Sequence, residues 1–421
     1  MNLTNARSQL SDLLGQVAQS LDIPDHVHEE AVKKYDEVGH WLEEHDQENG
    51  RREPLVYPQG SFRLGTTIRP MSDQDEYDID LVYERDLRKS GLSQAELKKQ
   101  AGDNLKAFIE HCQESHREAP TLTEGARCWR LDYPDQFHMD VLPAIPDDEG
   151  RQARTKHCET AIEITDRDLR EWQPSNPIGY GEWFKKKMEL QFLTKRAALA
   201  RRMLEAKGMA TNEFMVKAAA EEVPEYKVKT PLQRAIQILK RHRDFYFQND
   251  PDHRPVSIIL TTLAARAYNN EADLVDALLT LVRDMPKYIE VRDENGKRVP
   301  WVPNPINESE NFADRWQDPK YPEREAKFRG WLHQVDRDLT EALKGGGIHK
   351  VIEILGVSLG RSTLNKAAAA LGITTFQQAQ SNTLSMTKST GILTSGAGAS
   401  ASTTPVRRHT FYGDAEPNQN S

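Results

Sequence analysis

The stretch that decides the fold is YPQGSFRLGTTIRPMSDQDEYDIDLVYE, residues 57–84. Its last part, YDIDLVY (77–83), alternates between apolar and acidic residues, which is typical of a strand with one buried face. Asp78 and Asp80 lie side by side on the other face. Two carboxylates at that spacing repel each other unless a cation lies between them or water surrounds them. The pattern therefore leaves two interpretations open: a metal site, or the solvated face of an edge strand.

A second predicted strand, QFHMDVLPA (136–144), favours the metal site. His138 and Asp140 alternate with apolar residues, and an unpaired carboxylate among apolar neighbours is rare. A partner strand that carries Asp78 and Asp80 would explain it, because three carboxylates can share two divalent ions. Mg²⁺ suits oxygen ligands and leaves room for phosphates, and two such ions clamp the oxygens of a phosphoryl displacement.

The Gly-Ser pair near the start of the stretch adds a second candidate feature, a turn that could bind a phosphate. Gly60 permits the backbone to approach a ligand closely, and Ser61 offers a hydroxyl and an N–H to a phosphate. The pair is too short to carry meaning alone. It follows the apolar LVYPQ (55–59) and precedes the acidic strands, so the whole arrangement indicates nucleotide binding.

The segments GSFRLGT, DEYDIDLV and FHMDVLPA together resemble the nucleotidyltransferase superfamily of DNA polymerase beta type. Within it they are most similar to the CD-NTases, the cGAS/DncV-like enzymes that make cyclic oligonucleotide signals in bacterial anti-phage systems. The resemblance implies an α/β + α fold class: a polymerase beta-like nucleotidyltransferase lobe packed on a helical oligoadenylate synthase-like lobe.

The same resemblance implies roles for individual residues. Gln59, Gly60 and Ser61 are expected to bind the donor triphosphate. The metal ligands and catalytic residues are expected to be Asp78, Asp80 and Asp140, holding two Mg²⁺ or Mn²⁺ ions.

The helix predicted for PLQRAIQILKRHRDFYF (231–247) places cations in unusual positions. On a helical wheel with Leu232 at zero, Arg243 falls at about 20°, inside the apolar arc, and Lys240 falls at about 80°, on the edge of that arc. A buried carboxylate partner would explain Arg243. The resemblance implies that Lys240 and Ser257 contact the donor phosphates. Ile258 stands where the animal DNA sensor has a base-stacking aromatic residue, so stacking must come from elsewhere.

The resemblance also implies an activity. The chain is expected to join nucleoside triphosphates, ATP before GTP, into a cyclic di- or trinucleotide with release of pyrophosphate, for bacterial anti-phage defence (CBASS). A downstream effector would bind the product, and a regulatory protein is a further expected partner. The alternative is a nucleotidyltransferase that acts on an RNA end, a tRNA or a protein. A non-catalytic nucleotide-binding protein is disfavoured because all three aspartates are present.

Composition places limits on these classes. The 421 residues carry a formal net charge of −9, which disfavours constitutive DNA binding. Three cysteines without metal-ligand spacing, no long apolar run and no signal peptide core predict a cytoplasmic protein without a membrane span.

The predicted organisation is a nucleotidyltransferase core with N-terminal helices over 1–180 and a helical lobe over 181–380. The Ser-, Thr- and Gly-rich tail, 381–421, is expected to be disordered.

Overall fold

The computed structural model describes residues 3–72, 76–134, 137–149, 158–168, 170–294, 296–344, 348–380, 384–387, 393–395 and 403–405. The α-helices of these residues are α1 (Leu3–Ser20), α2 (Asp25–Glu48), α3 (Gly60–Leu64), α4 (Gln94–Glu114), α5 (Pro177–Ala206), α6 (Glu213–Glu222), α7 (Pro231–Tyr246), α8 (Ser257–Ala267), α9 (Leu274–Asp284), α10 (Arg324–Leu343), α11 (Ile348–Leu359) and α12 (Arg361–Gln380). The strands are β1 (Leu55–Gln59), β2 (Tyr77–Glu84), β3 (Thr121–Glu124), β4 (Trp129–Tyr133), β5 (Phe137–Pro146), β6 (Ile162–Ile164), β7 (Gln173–Ser175), β8 (Glu290–Glu294), β9 (Lys297–Trp301), β10 (Leu384–Thr387), β11 (Leu393–Ser395) and β12 (Thr403–Pro405).

The main sheet has the strand order β1-β2-β5-β4-β3, with β6 paired to β5 and β7 paired to β6. Only the β2–β5 pair is parallel among these described pairs, and it places Asp80 opposite Asp140. Residues that lie opposite each other on neighbouring strands point to the same face of the sheet. The two acidic strands therefore share one face of the sheet.

Helices α2 and α4 cover the opposite face, where the apolar set of the predicted strands is buried. The core there includes Leu42, Ile79, Leu81, Leu105, Phe108, Met139 and Val141. Helix α4 begins at a capping box in which Ser93 and Glu96 satisfy each other's backbone N–H groups. The alternation seen in the sequence is thus confirmed as an apolar face toward the helices and an acidic face away from them.

The helix predicted at Pro231 is also confirmed. Helix α7 has Thr230 as its N-cap in a capping box with Gln233, and Pro231 occupies its first turn, where a missing N–H costs nothing. Most of the helix is buried, including residues 231–233 and 235–243. Burial on nearly all sides explains why its polar residues, discussed below, find partners within the protein.

The charged and Pro-containing sequence of roughly residues 284–328 predicts linkers, and the structure corrects this prediction. Strands β8 and β9 pair as an antiparallel hairpin there, with Gly296 at φ +79° in the turn. Val299 and Trp301 are buried. Because the flanking residues are charged, this short apolar alternation does not stand out in the sequence.

Residues 21–336 form one compact unit, and residues 1–20 together with 337–421 form another. In the second unit α1 packs against α11 and α12. Four apolar residues of α1 recur at the spacing of a helical stripe, which predicts packing on the rest of the protein, and all four are fully buried: Leu10, Leu13, Leu14 and Val17. These boundaries differ from the predicted ones at 180 and 380, and the division into two lobes stays a prediction.

The tail that the sequence predicts to be disordered contains paired strands among its described residues, since β10 pairs with both β11 and β12. The prediction is corrected for those segments, and the rest of 381–421 lies outside the described residues. Within the part of the chain that is described, no helix combines the length and apolar character that a membrane span requires.

Candidate active site

The three predicted aspartates come together on the open face of the sheet. One carboxylate oxygen from each of Asp78, Asp80 and Asp140 lies within 4.8 Å of the others. Asp78 is exposed, whereas Asp80 and Asp140 are partly buried. The donor set is all oxygen and carries three formal negative charges, so these residues fit a hard divalent cation such as Mg²⁺.

The electrostatics of Asp80 point the same way. Burial, reinforced by the nearby charges of Asp78 and Asp140, raises the pKa of Asp80 to about 8. Without a cation this carboxyl therefore retains a proton at neutral pH. A divalent ion would favour its ionised form and displace that proton.

Two partners hold the outer members of this triad. The Arg130 guanidinium donates from Nε to Asp140 Oδ1 at 2.8 Å and from Nη2 to Oδ2 at 3.1 Å. His138 Nε2 lies 3.2 Å from Asp78 Oδ1, and this contact raises the pKa of His138. The sequence placed His138 on the acidic face but missed Arg130. The available signal was its position between Trp129 and Leu131, which are apolar and face the helices.

Replacing Arg130 by glutamine is expected to tighten divalent metal binding. The guanidinium neutralises Asp140 and competes with an ion for its oxygens, so its removal should raise the affinity for Mn²⁺ roughly threefold to tenfold. Calorimetric titration of the nucleotide-free protein measures this. Arg52→Gln is the matched control, because it removes the same charge from an exposed pair with Asp86. Equal or weaker binding by Arg130→Gln would show that Arg130 does not compete.

The Gly-Ser turn lies directly against the triad. Gln59 ends β1 opposite Asp80, and Gly60 then turns the chain into α3 with φ +61°. A Cβ atom on Gly60 would lie 2.0 Å from Asp80 Oδ2. Glycine is therefore required twice, by the positive φ and by the close approach. Ser61 Oγ lies 3.0 Å from Thr67 Oγ1, so its hydroxyl is tied to the loop that follows.

That loop, residues 64–69, is fixed by side chains of α7 and the residue before its cap. Each donor reaches a main-chain carbonyl: Gln233 Nε2 to Leu64 at 2.9 Å, Lys229 Nζ to Gly65 at 2.9 Å, Lys240 Nζ to Thr66 at 3.0 Å, Gln237 Nε2 to Thr67 at 3.0 Å, and Arg241 to Arg69. Positions 233, 237, 240 and 241 share one helix face. Polar residues within a buried helix were the sequence signal for this contact, which sequence reasoning missed.

Lys240 takes part in this loop contact and also lies in the field of the triad. It is 4 % exposed, and burial lowers its pKa to about 7, an effect that the charges of Asp80 and Asp78 partly oppose. The structure therefore gives Lys240 a partner in the Thr66 carbonyl. Its contact with a donor phosphate stays a prediction.

The prediction that Arg243 pairs with a carboxylate is confirmed. Arg243 donates to Asp244 Oδ1 at 2.7 Å from Nη2, and its Nη1 donates to Ser257 Oγ at 2.9 Å. Ser257 is the first residue of α8, so this bond ties the start of α8 to α7. A contact between Ser257 and a donor phosphate stays a prediction.

Comparisons with known proteins identify a consistent set of relatives. Residues 54–143, which include the Gly-Ser turn and all three aspartates, match the family described as cyclic GMP-AMP synthase DncV-like, nucleotidyltransferase domain. A c-di-GMP synthase from Roseivirga ehrenbergii is 30% identical over 98% of this chain and 99% of its own length. The cyclic dinucleotide synthase CdnG from Bradyrhizobium diazoefficiens is 27% identical over 96% of this chain and 95% of its own.

Two solved structures extend the comparison to the fold. The Bradyrhizobium diazoefficiens CD-NTase CdnG in complex with GTP gives a TM-score of 0.64 at 25% identity, over 86% of this chain and 99% of that chain. The CdnC:HORMA-deltaN complex from E. coli gives 0.56 at 11% identity, over 83% and 96%. The second likeness concerns the fold alone. Both agree with the predicted combination of an α/β part and a helical part.

Proposed function

Because the chain belongs to the CD-NTases, the DncV-like nucleotidyltransferases that synthesise cyclic oligonucleotides, we propose that its own reaction joins two molecules of GTP into a cyclic dinucleotide. The names of its relatives support this choice of base: one is a c-di-GMP synthase, and CdnG was solved with GTP. The sequence alone placed ATP before GTP. The length over which the relatives align includes both the acidic face and the helical part.

The single observation that carries the proposal is the acidic triad, three carboxylates within 4.8 Å of one another. Asp78, Asp80 and Asp140 would hold the divalent ions, which we propose to be two Mg²⁺ or Mn²⁺. When bound, these ions neutralise phosphate charge and lower the pKa of the attacking ribose hydroxyl. The triad lies beside the Gly60 turn, where the absence of a side chain lets the backbone approach the Asp80 carboxylate closely.

The chain's own residues would then position the reactants. Gly60 and Ser61 would bind the donor triphosphate, with Lys240 and Ser257 reaching its phosphates from the helical side. The acceptor hydroxyl attacks the α-phosphorus in line. The new P–O bond forms as the bond to pyrophosphate breaks, and Asp140 would accept the hydroxyl proton. Positioning and charge stabilisation account for most of the rate. A second transfer within the linear product closes the ring.

The test is to incubate the full chain with each radiolabelled nucleoside triphosphate and Mg²⁺ or Mn²⁺, alone and in pairs. Products are treated with phosphatase and identified by chromatography and mass. We expect a phosphatase-resistant cyclic dinucleotide from GTP alone, which the Asp78→Asn variant fails to make. Product only from ATP would overturn the choice of base. Label that appears only on added RNA, tRNA or protein would instead establish the alternative transferase.

The biological role is proposed from the family to which the chain belongs, not from the geometry of the site. We propose that the product acts in anti-phage defence by binding a downstream effector, as is typical of CD-NTases. A regulatory protein partner is part of the same proposal. Phage infection of cells that carry the gene, with and without Asp78→Asn, would test it.

A further inference from the structure

A cavity of about 540 Å³ lies next to the start of α8. The residues on both sides of Ser257 contribute to it, including Val256, Ile258 and Ile259. Ser257 is one of the predicted phosphate-binding residues, so the cavity is placed where the rest of a phosphate-anchored ligand could lie.

One residue of the cavity wall packs against the face of the sheet that carries the triad. Ile164 lines it and packs with Val82, Leu142 and Ala144. Leu142 and Ala144 follow Asp140 at even spacing on β5, so they share its face. Four residues of strand place Ala144 about 13 Å from Asp140. These residues are buried, so the link from the triad to the cavity runs along α7 instead: Lys240 lies in the field of Asp80, and Arg243 donates to Ser257 at the edge of the cavity.

The walls of the cavity suit a flat heterocycle. Its lining is mixed: Trp301, Phe312, Trp316 and the isoleucines of α8 supply apolar surface, and polar and charged side chains, among them four arginines, supply the rest. Ligand pockets of this size are commonly apolar, with a few fixed polar groups that set specificity. The aromatic side chains would supply the base contacts that Ile258 cannot supply by stacking.

Three carboxylates line the cavity, those of Glu294, Glu310 and Asp314, and Glu310 is the one that side-chain and backbone hydrogen bonds from Asn304 fix in place. Asn304 Nδ2 donates to Glu310 Oε2 at 2.7 Å, and the Asn304 backbone N–H donates to the Glu310 carbonyl at 3.0 Å. Asn311 fixes the same loop by accepting from the Val302 and Ala313 N–H groups. The second carboxylate oxygen of Glu310 has no hydrogen-bond partner among the described residues and is not fully enclosed.

We propose that Glu310 selects guanine, by accepting hydrogen bonds from the N1–H and the 2-amino group of a GTP bound in this cavity. Guanine is the purine that presents two adjacent donors on this edge, whereas adenine presents an acceptor at N1. Burial raises the pKa of Glu310 to about 7, and donors from a ligand would favour its ionised form. The inference rests on the proposed function and adds a specificity-determining residue to it.

The test compares nucleotide binding by the full chain and by Glu310→Gln at about pH 8, where the carboxyl is ionised. Dissociation constants are measured with Ca²⁺ for GTP, ATP and ITP, which lacks the 2-amino group. The wild type should prefer GTP over both. Glu310→Gln should lose roughly tenfold to a hundredfold in GTP affinity, since a good bidentate pair discriminates by about that much. It should lose less for ITP, which keeps only the N1–H donor, and little for ATP.

Glu308→Gln is the matched control, because it makes the same change at an exposed position of the same loop. Retained ATP affinity in Glu310→Gln shows that the variant is folded. An unchanged GTP:ATP:ITP preference in Glu310→Gln, or a wild type without preference, would overturn the inference. Neither result decides the proposed function, which is tested separately by the identity of the cyclic product.

Discussion

Replacing Asp80 by asparagine is expected to reduce product formation at least about a thousandfold, because the loss of a metal ligand removes several kcal/mol of transition-state stabilisation. Asparagine keeps the size of the side chain and one oxygen, so the change concerns charge rather than packing. Initial rates of cyclic product formation under saturating metal and nucleotide measure the effect.

The same substitution should leave the metal-free protein at least as stable as the wild type. In the folded chain the pKa of Asp80 is raised to about 8 by burial and by Asp78 and Asp140. A raised carboxyl pKa means that the folded state binds the proton more tightly than the unfolded state. The wild type therefore loses stability as pH rises from about 4 to about 8, and asparagine, which cannot ionise, removes that loss.

This expected effect on stability is tested by measuring unfolding midpoints in the presence of a chelator at several pH values below 7. Above pH 7 the titration of Lys240, whose pKa is lowered to about 7, changes the stability in the opposite direction. Asp132→Asn serves as the control. Asp132 lies on β4, directly opposite His138 of β5, and is not one of the three carboxylates of the triad. An inactive Asp80→Asn that is also clearly destabilised would mean that Asp80 holds the fold, and its loss of activity would not then support a metal site.

The sequence revealed this site because its signals are local or periodic. The alternation in 77–83 and 137–141 has a period of two, so the face of each aspartate could be predicted without knowledge of the partner strand. At Gly60 and Pro231 the residue type alone indicates the backbone conformation, a tight turn and the first turn of a helix. These signals do not depend on which segments meet in space.

The features of the site that the sequence could not show depend on strand register and on contacts between residues that are distant in the sequence. Arg130 reaches Asp140 because β4 and β5 pair with these residues directly opposite, and one residue of slippage would turn it to the other face. The bonds from α7 to the loop 64–69 join residues about 170 positions apart, as for Lys240 and Thr66. Glu310 likewise becomes a candidate only because Asn304 and Asn311 close its loop around the cavity.

Substituting alanine for Gly60 is expected to lower activity at least about a hundredfold, because a displacement of about 1 Å at a reacting centre has an effect of that size. The new Cβ would lie 2.0 Å from Asp80 Oδ2, whereas real Cβ contacts are essentially never shorter than 3.0 Å. The carboxylate must therefore retreat by about 1 Å or the turn must open. Either change separates Asp80 from the position in which it can share an ion with Asp140.

Gly208→Ala separates this steric effect from backbone strain. Gly208 has φ +67°, close to the +61° of Gly60, but a Cβ there would meet nothing within 4 Å. Both variants should lose about 1 to 2 kcal/mol of stability from placing alanine in the left-handed region, and Gly60→Ala carries the additional cost of displacing Asp80. Only Gly60→Ala should lose product formation and Mn²⁺ affinity. If Gly60→Ala keeps both while its unfolding midpoint falls like that of Gly208→Ala, then Asp80 turns away from Gly60 when the ion binds, and the glycine is required by the turn alone.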